Sequence, residues 1–308
     1  MQRNDIADKK PLYRRILAHK YVYLLGLPGM IYYILFQYVP MYNIAIAFEN
    51  YDPFTGVFHS PWVGFANFVQ LFHDPEFFMI FRNTLVISLL TMCLFPAPII
   101  LALLLNEIRN RFFKKSIQTV VYLPHFVSWV IVVSLTYLFL SSQVGYVNSI
   151  IQHFGGQPIS FMLNNKYFYP LILMQNVWKT IGWGSIVYLA AIAGVNPSLY
   201  EAATMDGAGK LKQMWHVTIP AIMPTIVILF ILQLGMVLNV NFEQLWLMQN
   251  PINLNLSEVF ETYVYKTGVL NGQFSYTTAI GLFKSIIALL LILGSNYLAK
   301  RRGHEGIW

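Results

Sequence analysis

Charged and amide side chains set inside apolar sequence give the first chemical signal of this chain. Gln175-Asn176-Val177-Trp178-Lys179 sits within a long apolar run, Asn239, Asn241 and Glu243 close a second, and Lys284 lies within a third. Ionisable and amide groups are costly in hydrocarbon, so they face a bundle interior or a water-filled cavity and mark a substrate or ion pathway. Each also has a plainer reading. A Lys near a helix end snorkels to the interface, an Asn joins neighbouring helices, and a Trp anchors at the headgroups. Another candidate, Gly207-Ala208-Gly209-Lys210, looks like part of a phosphate-binding loop. That motif needs Gly five residues before its Gly-Lys and Ser or Thr after it, and Thr204 and Leu211 stand there instead. The chain does not bind ATP in that way. Its histidines are scattered without ligand spacing, and its one cysteine, Cys93, lies inside an apolar run. Neither a metal centre, nor an internal disulfide, nor a paired acid and base is expected.

The elements that must position these residues follow from composition. Of the 308 residues, 56% are hydrophobic and 11% charged, with a mean hydropathy of +0.54. A soluble domain carries roughly a quarter charged residues, so the surplus apolar surface faces a bilayer. A spanning helix takes about 20 apolar residues, because every backbone N–H and C=O must be paired internally. Six such stretches are expected, near 21–40, 78–105, 118–140, 168–194, 220–240 and 276–299. The fold class is therefore an all-α membrane protein of six transmembrane helices. It divides into a tail and interfacial segment over 1–20, a six-helix transmembrane domain over 21–299 and a short tail over 300–308.

Orientation follows from the excess of Lys and Arg in cytoplasmic loops. Arg3, Lys9, Lys10, Arg14, Arg15 and Lys20 precede the first stretch, and Arg109, Arg111, Lys114 and Lys115 lie between the second and third. Lys210 and Lys212 precede the fifth, and Lys300, Arg301 and Arg302 follow the sixth. Lys166 and Lys266 are the cations of the opposite side. Both termini are expected in the cytoplasm. The net charge of +7 is spread over these juxtamembrane segments beside anionic headgroups, which reads as topology rather than nucleic-acid binding. The basic start resembles a signal peptide, but the apolar run is long and Gly26-Leu27-Pro28-Gly29 is a poor cleavage site. An uncleaved first helix is expected, preceded by an interfacial segment from Pro11 to Lys20.

Residues 41–77, 141–167 and 241–275 are expected as long outward loops rich in Asn, Gly, Pro and aromatic residues. The inward loop between the fourth and fifth stretches, 196–220, is different. Asn196 is a good N-cap, Pro197 suits the first helical position, and a helix through Tyr200, Glu201, Ala202, Ala203 and Met205 ends at Gly207. A second helical stretch runs from Lys210 to Thr218, with Pro220 and Pro224 opening the next span. A small exposed helix capped at both ends suits a groove in another protein.

Residues 201–220, EAATMDGAGKLKQMWHVTIP, resemble the EAA loop of the permease subunits of ABC importers. Glu201, Ala202, Ala203, Gly207 and Pro220 match that pattern, Val217 and Ile219 replace its Ile and Leu, and Asp206-Gly207-Ala208 resembles the Asp-Gly-Ala of sugar-transporting members. Trp62 to Phe68, Asn83-Thr84-Leu85, Phe242-Glu243-Gln244, Glu261 to Tyr265, Gly281 to Ser285 and the ending Gly303 to Trp308 are similar to the LplB-like oligosaccharide and aldouronate branch. The resemblance covers nearly the whole chain.

It implies the type I importer permease fold and transport of an oligosaccharide, without catalysis in this subunit. It also implies a second homologous permease, an ATPase dimer that binds ATP and Mg, and an extracellular lipid-anchored solute-binding protein. No cofactor is expected in this chain. Tyr200, Glu201, Ala202, Ala203, Asp206, Gly207 and Pro220 would seat in the ATPase. Gln175, Asn176, Trp178, Lys179, Asn239, Asn241, Glu243 and Lys284 are the candidates for the sugar pathway, with Trp129, Trp178 and Trp183 as aromatic faces. Two intramembrane lysines would suit an acidic sugar. A secondary transporter often carries inverted repeats and a membrane enzyme needs an acid and base pair or a metal cluster; the sequence displays neither signature.

Overall fold

The structure is a computed structural model that describes residues 18–57, 59–301, 303 and 306. The expected interfacial segment from Pro11 and most of the final tail lie outside the described residues. Among these, the regular elements are helical, with one isolated bridge between Glu49 and Trp62. Within the described residues four helical runs are long and apolar enough to cross a membrane, or six when each of two bent pairs is taken as one span.

The first run begins with α1 (Lys20–Tyr33) and continues through a π-helical turn to Phe48. α1 buries none of its residues, as expected of a helix apolar on every side with lipid or another helix around it. After α2 (Ala66–His73), the second span is α3 (Phe77–Met92) joined to α4 (Pro96–Glu107). Next come α5 (Arg111–Tyr122) and α6 (Trp129–Leu140). The third stretch, expected over 118–140, is bent here, the two helices meeting at 102°. Pro124 removes an N–H and disfavours helix in the residue before it. Ser128 then caps α6 by accepting from the Ile131 N–H.

α7 (Tyr146–His153) lies in the following connection, and α8 (Phe168–Ala193) forms the fourth span. α9 (Pro197–Met205) turns off it at 74°. α10 (Lys210–Gln213), a π-helical turn over Met214–Thr218 and α11 (Ile219–Gly235) form one continuous run. Pro220 and Pro224 thus lie within a helix rather than opening one. The widened turn ahead of Pro220 accommodates a ring that would press on the carbonyl four residues back.

The segment expected as an outward loop over 241–275 is corrected. It holds α12 (Phe242–Met248), α13 (Leu254–Ser257) and α14 (Phe260–Val264) before the last span, α15 (Phe274–Arg301). These short helices sit inside the bundle. Leu245, Met248 and Val259 share one core with Ile87 of α3, Val133 of α6 and Ile172 of α8. Phe260 shares another with Phe77, Ile80 and Ile280. A third core, of Ile99, Leu103, Tyr188, Ile192 and Ile222, lies at the α9 end of the bundle.

Candidate functional site: a capped helix and a polar cavity

α9 is held by its own neighbours in sequence. Asn196 Oδ1 accepts the Ser198 N–H at 3.0 Å, which satisfies one of the free donors of the first turn. At the other end Gly207, with φ +76°, lets the chain reverse. Its N–H donates to Thr204 O at 3.0 Å and the Ala208 N–H to Ala203 O at 2.8 Å, the paired bonds of a Schellman cap. Buried Gln213 ties this cap to α10, donating to Thr204 Oγ1 at 2.9 Å and Ala208 O at 3.1 Å. The Tyr200 and Thr218 hydroxyls meet at 3.0 Å. Glu201, Ala202, Asp206 and Gly207 are exposed, and Met205 is 89% exposed. Beside the loop, Lys210 pairs with Glu107 at 3.2 Å; as a surface pair it contributes little.

A cavity of about 350 Å³ opens between α3, α8, the end of α11 and the start of α12. Ser88, Thr91, Asn176, Asn239, Asn241 and Gln244 give it a hydroxyl and amide lining. Asn176 Nδ2 donates to Gln244 Oε1 at 2.9 Å, and Gln244 Nε2 donates to Gln175 Oε1 at 2.9 Å and Ile172 O at 3.0 Å. Gln175 Nε2 continues to Thr136 Oγ1 at 2.8 Å. The structure therefore brings Asn176, Asn239 and Asn241 together at one cavity, with Gln175 buried behind them.

The remaining pathway candidates are placed elsewhere. Lys179 Nζ donates to His125 O at 2.9 Å and to Val127 O, which satisfies carbonyls freed at the bend between α5 and α6. Lys284 pairs with Glu261. Both lysines therefore have internal partners, and the acidic-sugar reading loses its two free cations. Trp178 lines an apolar groove with Val120, Val121 and Pro124, Trp183 stacks on His125 at 4.3 Å, and Trp129 is buried. Glu243 is exposed in the first turn of α12. Sequence reasoning passed over Ser88, Thr91, Gln233 and Gln244 as cavity-lining residues. An amide directly after Asn241-Phe242-Glu243, at an N-cap's third position, was the available signal for Gln244.

Residues 95–304 match the family described as "Binding-protein-dependent transport system inner membrane component". The chain belongs to this family. It is therefore a membrane permease subunit of a binding-protein-dependent ABC importer, in which a separate subunit hydrolyses ATP. The polygalacturonan/rhamnogalacturonan transport system permease protein YteP of Bacillus subtilis (strain 168) is 51% identical, over 97% of this chain and 94% of that protein. Protein LplB of the same organism is 49% identical, over 94% and 91%. Among solved structures, a chain of a bacterial alginate ABC transporter, in complex with an alginate pentasaccharide-bound periplasmic protein, superposes with a TM-score of 0.88 at 36% identity. The match covers 97% of this permease and all of that chain.

Opposite the loop end of the permease, Asp74 Oδ2 accepts hydroxyls from Tyr263 at 2.5 Å and Tyr276 at 2.6 Å. Burial pushes the Asp74 carboxyl up, but these two bonds and the Glu76 N–H outweigh it and hold it below the ordinary carboxylate value. The cluster ties α14 and α15 to the turn ahead of α3.

Proposed function

We infer that this permease imports an oligosaccharide, that its cavity forms part of the sugar pathway, and that α9 with its flanking residues 196–220 is the element an ATPase grips. The observation carrying this reading is the form of α9: exposed, capped at both ends and built as a branch of α8. An ATPase dimer binding ATP and Mg seats Tyr200, Glu201, Ala202, Ala203, Asp206 and Gly207, and Pro220 keeps the following helix in register. Tilting α9 then turns α8, which carries Asn176. The exposed α1 and the open side of the cavity leave room for a second, homologous permease. An extracellular lipid-anchored solute-binding protein delivers the sugar from the face bearing Asp74. Both termini lie in the cytoplasm with the Lys and Arg excess.

The test uses Met205→Cys in a Cys93→Ser background within the assembled importer. A membrane-impermeant maleimide is expected to label residue 205 only after permeabilisation, and a short bifunctional reagent to join it to the ATPase. Labelling in intact cells, or oligosaccharide uptake without the ATPase, would overturn the reading.

A further inference from the structure

Resting on the reading of the cavity as part of the sugar pathway, we propose that Gln244 is a positioning residue that fixes which end of Asn176 meets the sugar. Asn176 then offers an acceptor and Asn241 a donor. A side-chain amide is ambivalent, with an oxygen at one end and an NH₂ at the other. Two backbone groups remove that ambivalence. Ile172 O only accepts, so the group 3.0 Å from it must be the Gln244 NH₂. That NH₂ also serves Gln175 Oε1. Gln244 Oε1 is left as an acceptor, and the group 2.9 Å from it must be the Asn176 NH₂. Asn176 Oδ1 is then the end available to the cavity.

Asn241 is fixed independently. Its Oδ1 accepts the Gln244 backbone N–H at 2.9 Å, and a backbone N–H only donates. Its free end is therefore the NH₂. The chain of amides is pinned at the far side as well, since Gln175 donates to Thr136 Oγ1 and that hydroxyl donates to Val132 O at 2.9 Å. Ser88, which lines the same cavity, adds a buried hydroxyl with no partner among the described residues. An acceptor, a donor and a hydroxyl, all uncharged, match neighbouring ring hydroxyls, each of which donates and accepts. The class of ligand group this wall reads is a neutral polyol face. Any carboxylates on the sugar are read elsewhere in the importer.

The experiment measures equilibrium binding of tritiated trigalacturonate to the solubilised importer, with both permeases and the ATPase. Asn176→Leu is expected to weaken binding about tenfold, the worth of one hydrogen bond to a sugar. Gln244→Met is expected to weaken it by a similar factor alone and to add nothing in the Asn176→Leu background. Gln244→Asn, too short for the 2.9 Å contact, carries the same expectation as Gln244→Met should the latter not assemble. Losses that multiply in the double variant overturn the proposal alone, because a structural role acts independently of Asn176. Unchanged binding in Asn176→Leu and Asn241→Leu, or none in the unmodified importer, removes the pathway reading and the proposal with it.

Discussion

Around α9, Asn196, Gln213 and Tyr200 find partners two to eighteen residues away in sequence. Along the cavity wall, Gln244 reaches back 68 to 72 residues, and elsewhere in the bundle the Phe260 N–H reaches Thr84 across 176. The first region is a self-capped piece whose shape depends on its own sequence, so a partner can push it as a unit. The second exists only while α3, α6 and α8 stand around it, so its shape records where those spans are. Local closure suits a surface that receives force, and distributed closure suits a wall that must change when the bundle moves.

The strongest way to test that contrast is a charge reversal on the exposed side. Glu201→Lys is expected to leave thermal unfolding and assembly unchanged while lowering binding-protein-stimulated ATP hydrolysis at least about tenfold; an equal fall in melting temperature would break the contrast. Asn83→Leu probes the other side. Its amide, fully buried, donates to Asn255 O at 3.0 Å and Glu258 O at 2.9 Å. Losing both bonds, with Asn255 O left to the Arg82 guanidinium at 2.9 Å, is expected to cost about 1–3 kcal/mol of stability, read by thermal denaturation in detergent. Gly207→Ala forces a side chain into a positive-φ position at a cost of about 1 kcal/mol. That loss should show as faster amide exchange confined to 203–208.

The smallest effect concerns pH. The Asp74 carboxyl is held low in the folded protein, so its contribution is fully present above its unfolded pKa. It is lost as pH falls through the folded value. Stability on the Asp74 side is expected to decline below about pH 4, and Asp74→Asn should flatten that decline. A decline of equal size in Asp74→Asn would assign the acid sensitivity to another group.

The same contrast explains what the sequence disclosed. Asn196, Pro197 and Gly207 announce a capped helix because capping is a matter of neighbours, and the structure has the helix they announce. The spans were legible as apolar runs, including α8 and α15 to within two residues at each end. The bend at Pro124 was written in Leu123-Pro124 and Ser128, but the apolar run around it masked the signal. The placement of 241–275 was not legible. Its Asn and Gln residues look like surface loop until Asn83, Gln175 and Asn176 supply partners, and nothing local to the segment encodes those distant contacts. The partners of Lys179 and Lys284 were not legible for a related reason, since a buried cation announces a partner without saying whether it is a ligand, a carbonyl or a carboxylate.

The bend between α5 and α6 is fastened to α8 at three points. Lys179 holds the carbonyls of His125 and Val127, Trp183 lies flat on His125, and Gly182 comes so close that an added Cβ would lie 1.9 Å from Val121 O. α8 is also the helix from which α9 branches. The branch and the elbow are thus mounted on one shaft, and a torque entering at Asn196 cannot rotate that shaft without dragging the elbow or first tearing these fastenings.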